Sequence, residues 1–386
     1  MKENAWETRL LGILAAVLIV VGLVSVYGAS SLVNTQGGVV GASYFFKQAI
    51  GAAIGGLGAT ILARTDYHVW QKWAWPLLGL TLLLLIIPVL PFTRAIAPIL
   101  NGARRWVNLG FTVVQPSELA KFTLVCWTAM LAAKKGDQIR TFKFGLLPFF
   151  VVLLPVIGLV FLEPNLSMAL LLTMLAGTVL FAAGARIGHF LLIGIAAAPV
   201  LFGAVASAQY RLARVSHFFS SGTAPSEAQS QVHQSLVGIG AGRLIGVGFG
   251  QGQQKLGYLP YAYSDFIFST IAEEWGFIGV TVIILCFAGI CWLGFRIARR
   301  APDPFGQFLA TGLTALIGVT AVLHIAVSLA VMPATGITLP LISYGRTSLF
   351  VSLAAIGVLV SIGHGQQSQR KTAGRRRATS PAGASK

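Results

Sequence analysis

Ten apolar runs, each long enough or nearly long enough to cross a ~30 Å hydrocarbon core at 1.5 Å per residue, leave this chain few ways to fold. They lie near residues 10–30, 44–63, 74–91, 116–133, 145–161, 166–183, 187–206, 266–295, 306–332 and 343–362. In lipid every backbone amide and carbonyl must be satisfied within the protein, so runs of this length read as helices. The expected fold is an all-α integral membrane protein of ten transmembrane helices, with a large extracytoplasmic loop between helices 7 and 8. Composition agrees: of 386 residues 55% are hydrophobic and 10% charged, too apolar for an ordinary soluble domain.

The formal net charge of +17 could suggest nucleic acid. The Lys and Arg residues instead fall in short clusters between apolar runs and line no single face, which excludes a nucleic-acid binder. Their distribution orients the chain. With both termini inside, 18 of the 28 Lys and Arg residues fall on the cytoplasmic side and 10 on the outer side. Most of that outer minority sits in two loops, 92–115 and 207–265. Basic residues kept on the disfavoured face suggest an anionic ligand there, or anchoring at lipid headgroups.

The first apolar run, Leu10 to Tyr27, exceeds a usual signal-peptide core and is followed by many others, so it reads as an uncleaved first helix. Residues 1–363 form one membrane domain, and the basic segment 364–386 reads as a disordered cytoplasmic tail that fixes topology. Cys126, Cys286 and Cys291 lie in apolar spans and give neither a disulfide framework nor a metal spacing. No solenoid-length repeat or inverted repeat is visible.

The loop 207–265 is the long non-apolar segment inside the membrane domain, and such loops are usually functional or disordered. Its first part, SSGTAPSEAQSQ, is polar. Its second part alternates Gly with Val, Ile, Leu and Phe, which suits backbone lying on the membrane or re-entering protein. These glycines complete neither a P-loop nor GxGxxG, so they read as close-packing positions.

The loop delivers Asp265 to the start of an apolar helix, where a carboxylate serves either as a helix cap or as the working acid–base group. Glu273 and Glu274 follow roughly 12 Å into that helix. An acid there faces a cavity or is held by a partner. On the outer side Arg104, Arg105 and Trp106 form a second cluster, suited to gripping phosphate or to interfacial anchoring. Glu118 and Lys121, at i, i+3 near the start of the fourth helix, read as an ion pair. His324 and Tyr344 are further polar residues in apolar surroundings, read as packing residues or as functional ones.

Taken in order, the stretches GLVSVYGASS, TDYHVWQKW, NGARRW, QPSELAKF, YRLARVSHF, QSLVGIGAGRLIGVGFGQGQQKLGYLP, SDFIFSTIAEEWGFIG and MPATGITLPLISYGRTSL resemble the SEDS family of bacterial cell-wall proteins over nearly all ten spans. TLPLISYG is more similar to the family's division member than to its elongation member. The resemblance implies a peptidoglycan glycosyltransferase that polymerises lipid II on the outer face of the cytoplasmic membrane, beside a class B penicillin-binding protein and other division or elongation proteins. A lipid flippase and a non-catalytic scaffold are the competing readings.

The same resemblance makes Asp265 the catalytic base and Trp106 a position on which the family depends. The diphosphate clamp would then be drawn from Arg104, Arg105, Arg211, Arg214, Arg243 and Lys255. No cofactor is evident, although a divalent cation such as Mg2+ would suit a diphosphate. The chain departs from the family pattern at Tyr261, Tyr263 and Ser264, where Glu, His and Thr are usual. It departs again at Glu163, Pro164, Asn165 and Ser167, and at Arg346.

Overall fold

The computed structural model describes residues 5–379 except 31–33, 36–37, 40, 100–102, 111, 208, 210–211 and 213–226. Among the described residues the chain is helical almost throughout. The helices are α1 (Ala5–Ser30), α2 (Gly41–Arg64), α3 (His68–Val89), α4 (Pro116–Lys135), α5 (Leu147–Leu162), α6 (Leu166–Ala182), α7 (Ile187–Ala206), α8 (Glu227–Gly242), α9 (Ile267–Arg299), α10 (Pro304–Ser328) and α11 (Arg346–Thr379). Two short antiparallel hairpins complete it: β1 (Asn34–Thr35) with β2 (Gly38–Val39), and β3 (Val107–Asn108) with β4 (Val113–Val114).

Each of the ten apolar runs is helical, and eight helices are long and apolar enough to cross a membrane. The other two fall short for identifiable reasons. Helix α6 has only 17 residues, whereas a π-helical turn, Phe142–Leu146, extends α5 to a span of 21. Helix α4 has 20 residues but carries Glu118, Lys121, Lys134 and Lys135. Glu118 and Lys121 pair at 2.7 Å inside the bundle, so α4 lies in the protein core and not against lipid.

Three helices make the centre: α4, α6 and α10. They approach closely at Gly312 of α10, where a Cβ would lie 2.5 Å from Val125 of α4 and 2.7 Å from Val179 of α6. Only glycine allows that triple contact. Trp127 of α4 is fully buried, edge-on to Trp75 of α3 at 5.5 Å and to Phe149 of α5 at 5.8 Å. Helix α7 is the opposite case, with no buried residue, and it touches the bundle through His189 against Phe142 and Phe190 against Phe181.

Several boundaries differ from the sequence expectation. Residues 227–242, read as polar loop passing into a glycine-rich one, form α8, which Ser235 ties to the carbonyl of Ser328 at 2.7 Å and to the hydroxyl of Ser269. Helix α10 ends at Ser328, and 329–345 is turns and extended chain, where part had been counted as span. The last helix runs on to Thr379.

Candidate functional site

The site is built where α9 begins, and α9 is a broken helix. Gly276 has φ 65° and ψ −167°, outside helical space, so the backbone ladder of α9 is interrupted within an apolar span. A break there frees amides and carbonyls that lipid cannot satisfy. The segment after α8 satisfies them. Val247 and Gly248 donate to the carbonyls of Glu273 (2.9 Å) and Glu274 (3.2 Å), while Phe277 and Ile278 donate to those of Arg243 (2.9 Å) and Leu244 (3.1 Å). The two backbones meet too closely for any side chain: a Cβ on Gly246 would lie 2.2 Å from the Glu274 carbonyl oxygen. Gly238, Gly242, Gly246 and Gly252 are close-packing positions as expected, whereas Gly240, Gly250 and Gly257 have open space where a Cβ would stand.

The two glutamates pin the next stretch. Glu273 accepts from the backbone amide of Gln253 at 2.7 Å and from that of Gln254 at 3.3 Å. Glu274 pairs with Lys255 at 2.7 Å, both side chains almost wholly buried. The Lys255 ammonium is therefore committed inside the fold and is withdrawn from the diphosphate clamp. Its exposed appearance in sequence came from neighbouring glycines and glutamines, which say nothing of a partner 19 residues on.

The pinned stretch leads through turns to Asp265. Leu259, Ala262 and Phe266 bury themselves against Val327 of α10. Asp265 donates its amide to the Tyr261 carbonyl at 3.1 Å. The segment 339–344 holds the turn from the other side: Tyr344 donates its amide to the Tyr263 carbonyl at 3.0 Å, and Ser343 its hydroxyl to the Ser264 carbonyl at 2.7 Å. Asp265 is half-buried, its Oδ2 3.5 Å from where a Cβ on Gly336 would stand. The N-cap of α9 is Phe266, with no side-chain cap, so Asp265 lies one residue outside the cap it was expected to occupy or follow.

Around it Tyr44, Tyr263 and Tyr344 form an aromatic cluster, with centroids 4.8 Å apart for Tyr44 and Tyr263 and 4.9 Å for Tyr44 and Tyr344. Burial first, then the hydrogen bond with Tyr44, holds the Tyr263 phenol well above its ordinary range. It stays protonated at neutral pH and supplies no base in place of the usual family residue.

The second cluster is built into helix ends. Arg104 donates to the carbonyls of Leu90 (2.8 Å) and Ala97 (3.1 Å) and to the Thr93 hydroxyl (2.8 Å), tying off the end of α3. Arg105 donates to the carbonyls of Glu163 (3.1 Å) and Pro164 (2.5 Å) in the turn between α5 and α6. The Glu163 carboxyl is buried there, neither oxygen having a hydrogen-bond partner among the described residues. Burial pushes it up to about 8 against the pull of Arg105. Trp106 is half-buried beside β3, and Arg243 is exposed. Arg211 and Arg214 lie outside the described residues.

Two more polar residues join the site: Gln48, which the sequence reading passes over, and His324, which it reads as a packing or a functional residue. Gln48, in the apolar run of α2, donates to the Ser343 carbonyl at 3.0 Å. His324, fully buried in α10, meets the Ile337 carbonyl at 2.7 Å through Nδ1, one residue on from the Gly336 that stands near Asp265. An amide or imidazole inside an apolar run was the available signal for both. The hairpin β3–β4 reaches the same end, since the amide of Gln115 donates to Thr347 of α11 at 3.2 Å.

Residues 8–368 match the family described as "Cell cycle protein", FtsW/RodA/SpoVE. The chain belongs to that family. Relatives include a "Probable peptidoglycan glycosyltransferase FtsW" of Trichlorobacter lovleyi, 41% identical over 344 residues, which are 89% of this chain and 90% of the relative. "Stage V sporulation protein E" of Bacillus subtilis is 35% identical over 92% of this chain and 96% of its own. Among solved structures, the Thermus thermophilus rod shape determining protein RodA matches with TM-score 0.66 and 28% identity, covering 92% of this chain and 96% of that one. A chain from "Structural coordination of polymerization and crosslinking by a peptidoglycan synthase complex" matches with TM-score 0.75 and 27% identity, over 92% and 97%. Within the FtsW/RodA/SpoVE family, the higher identities put this chain closer to FtsW than to RodA.

Proposed function

We propose that this chain is a peptidoglycan glycosyltransferase of the division type, polymerising lipid II at the outer face of the bacterial cytoplasmic membrane with both termini inside. The observation that carries the reading is the placement of Asp265. It is a half-buried carboxylate on a turn fixed from both sides, outside the cap position of α9, whereas Glu273 and Glu274 are almost wholly buried.

In the reaction a sugar hydroxyl of the acceptor forms a C–O bond to the donor's anomeric carbon as the bond from that carbon to the diphosphate breaks. Asp265 takes the hydroxyl proton, and the lipid diphosphate leaves with the electron pair. Positive charge on the departing group lowers the barrier. Of the six residues from which the clamp is drawn, Arg243 is described and exposed, beside the broken helix, and is assigned that work, with Arg211 and Arg214 as further candidates. A divalent cation would take most of its ligands from the diphosphate, since no group of three or more His, Cys, Asp or Glu suited to a metal occurs among the described residues. The partner of this reading is a class B penicillin-binding protein that cross-links the product, within the set of division or elongation proteins.

A lipid flippase would need Glu273 in an open cavity, and its carboxylate is instead used by the amides of Gln253 and Gln254. The test is the purified protein with labelled lipid II, with and without the penicillin-binding protein. Glycan polymer is expected. Movement of lipid II across liposomes with no polymer under either condition would overturn the proposal.

A further inference from the structure

The far end of α9 carries a second arrangement that the polymerase reading does not use. About 23 residues separate Gly276 from Arg299, roughly 34 Å of helix, enough to reach the opposite membrane surface. There Trp292, Arg296, Arg299 and Arg300 line a cavity of about 350 Å³, within the size range of small-ligand sites.

The cavity is pre-organised from α1. Glu7, almost wholly buried, takes both Arg296 at 2.5 Å and Arg300 at 2.7 Å on the same oxygen. The Arg296 guanidinium also stands 5.3 Å from the ring centroids of Trp6 and of Trp292, which are 6.0 Å from each other. Arg299 is exposed and makes no ion pair among the described residues. Among the described residues three guanidiniums thus stand over one carboxylate, and Arg299 is the one of the three that does not pair with it. The asymmetry of charge between membrane faces explains why arginines collect here. It does not explain why one is held against two indoles while its carboxylate is shared.

Guanidinium forks match phosphate oxygens, and indole rings sit at headgroup level in a bilayer. Trp292, which lines the cavity, is an exposed apolar ring, and Phe295, next to Arg296 in the chain, is exposed as well. A ligand here would carry a phosphate for the arginines and hydrocarbon for these rings. We propose that this cavity binds the phosphate headgroup of an anionic phospholipid from the surrounding leaflet, with Arg299 as the residue that contacts phosphate without also holding the fold. Basic pockets between membrane helices recognise lipid headgroups by this chemistry.

The test is native mass spectrometry of the full-length protein released from micelles holding phosphatidylglycerol or phosphatidylcholine with the same acyl chains. The wild type is expected to retain phosphatidylglycerol in preference. Arg299→Ala should weaken that retention on the order of tenfold, the effect of one charge-assisted hydrogen bond, and Arg299→Glu should abolish the preference. Arg299→Ala should melt near the wild-type temperature, because Arg299 makes no ion pair among the described residues, and Arg299→Glu only slightly below it, since an acid in the last turn of a helix is disfavoured. Equal retention of the two lipids by the wild type, or unchanged preference in Arg299→Glu, would overturn the site. So would inorganic phosphate protecting the wild type against heat as well as phosphatidylglycerol does, since the cavity would then read free phosphate.

Discussion

Gly246 and Gly276 meet backbone to backbone, a Cβ on Gly276 falling 2.3 Å from the Gly246 amide nitrogen and one on Gly246 falling 2.7 Å from that of Gly276. Both also have positive φ, 84° and 65°. Gly276→Ala is therefore expected to cost at least the ~1–3 kcal/mol of a strained backbone, and more from the clash. Thermal unfolding in detergent reads this directly. Gly188→Ala, at a position with nothing within 4 Å of the added Cβ, is the silent control.

Asp265→Asn removes the proton acceptor at nearly constant shape. Polymerisation of lipid II should fall by about 10²–10⁴, the span of a positioned acid–base group. Asn keeps the size and polarity of the side chain, so Asp265→Asn should melt near the wild-type temperature. Wild-type polymerisation by the Asn variant would remove Asp265 from the chemistry.

The Lys255–Glu274 pair predicts strong non-additivity. Lys255→Met leaves a buried carboxylate alone, at a cost of about 3–5 kcal/mol. Lys255→Met combined with Glu274→Gln should recover much of that loss. A double variant no more stable than the single one would mean that the pair is not what holds the 252–256 segment.

Glu163 gives the fold a pH dependence. Its carboxyl is raised from about 4.5 to about 8 in the folded chain, so the fold favours the protonated form. The contribution is fully present below the unfolded value near 4.5 and is lost as pH rises through about 8. Melting temperature should fall across that window in the wild type, and Glu163→Gln should remove this component. Parallel curves for the two proteins would refute it.

Arg104 reads from sequence as a phosphate grip or an interfacial anchor, and its three bonds end on the C-cap of α3 and the turn that follows it. Arg104→Ala should therefore lower stability, by about 1–3 kcal/mol for each buried group left unpaired, while folded protein binds lipid II nearly as before. Weakened lipid II binding at unchanged melting temperature would restore the ligand reading.

Much of the architecture was legible because bilayer length and hydropathy mark each helix, and because i, i+3 spacing on a helix pairs Glu118 with Lys121 without any tertiary knowledge. The place of Asp265 before α9 was legible to within a residue or two. The break at Gly276 was not, because one glycine among apolar residues reads as tolerated helix until the chain that satisfies its neighbours is seen. Arg105 bonding to Pro164 and Lys255 to Glu274 depend on contacts 59 and 19 residues apart, for which composition carries no signal. Helix α8 was hidden because its polar start and small residues resemble loop.

Helix α7, without a buried residue, presents most of its length to acyl chains. Lipid tails are as apolar as leucine, so trading a lipid neighbour for a protein one there is close to isoenergetic. Its sequence consequently answers to bilayer thickness more than to the rest of the chain. Leu↔Ile or Phe↔Leu exchanges along it should drift freely, where the same exchanges in α4 would be felt at once.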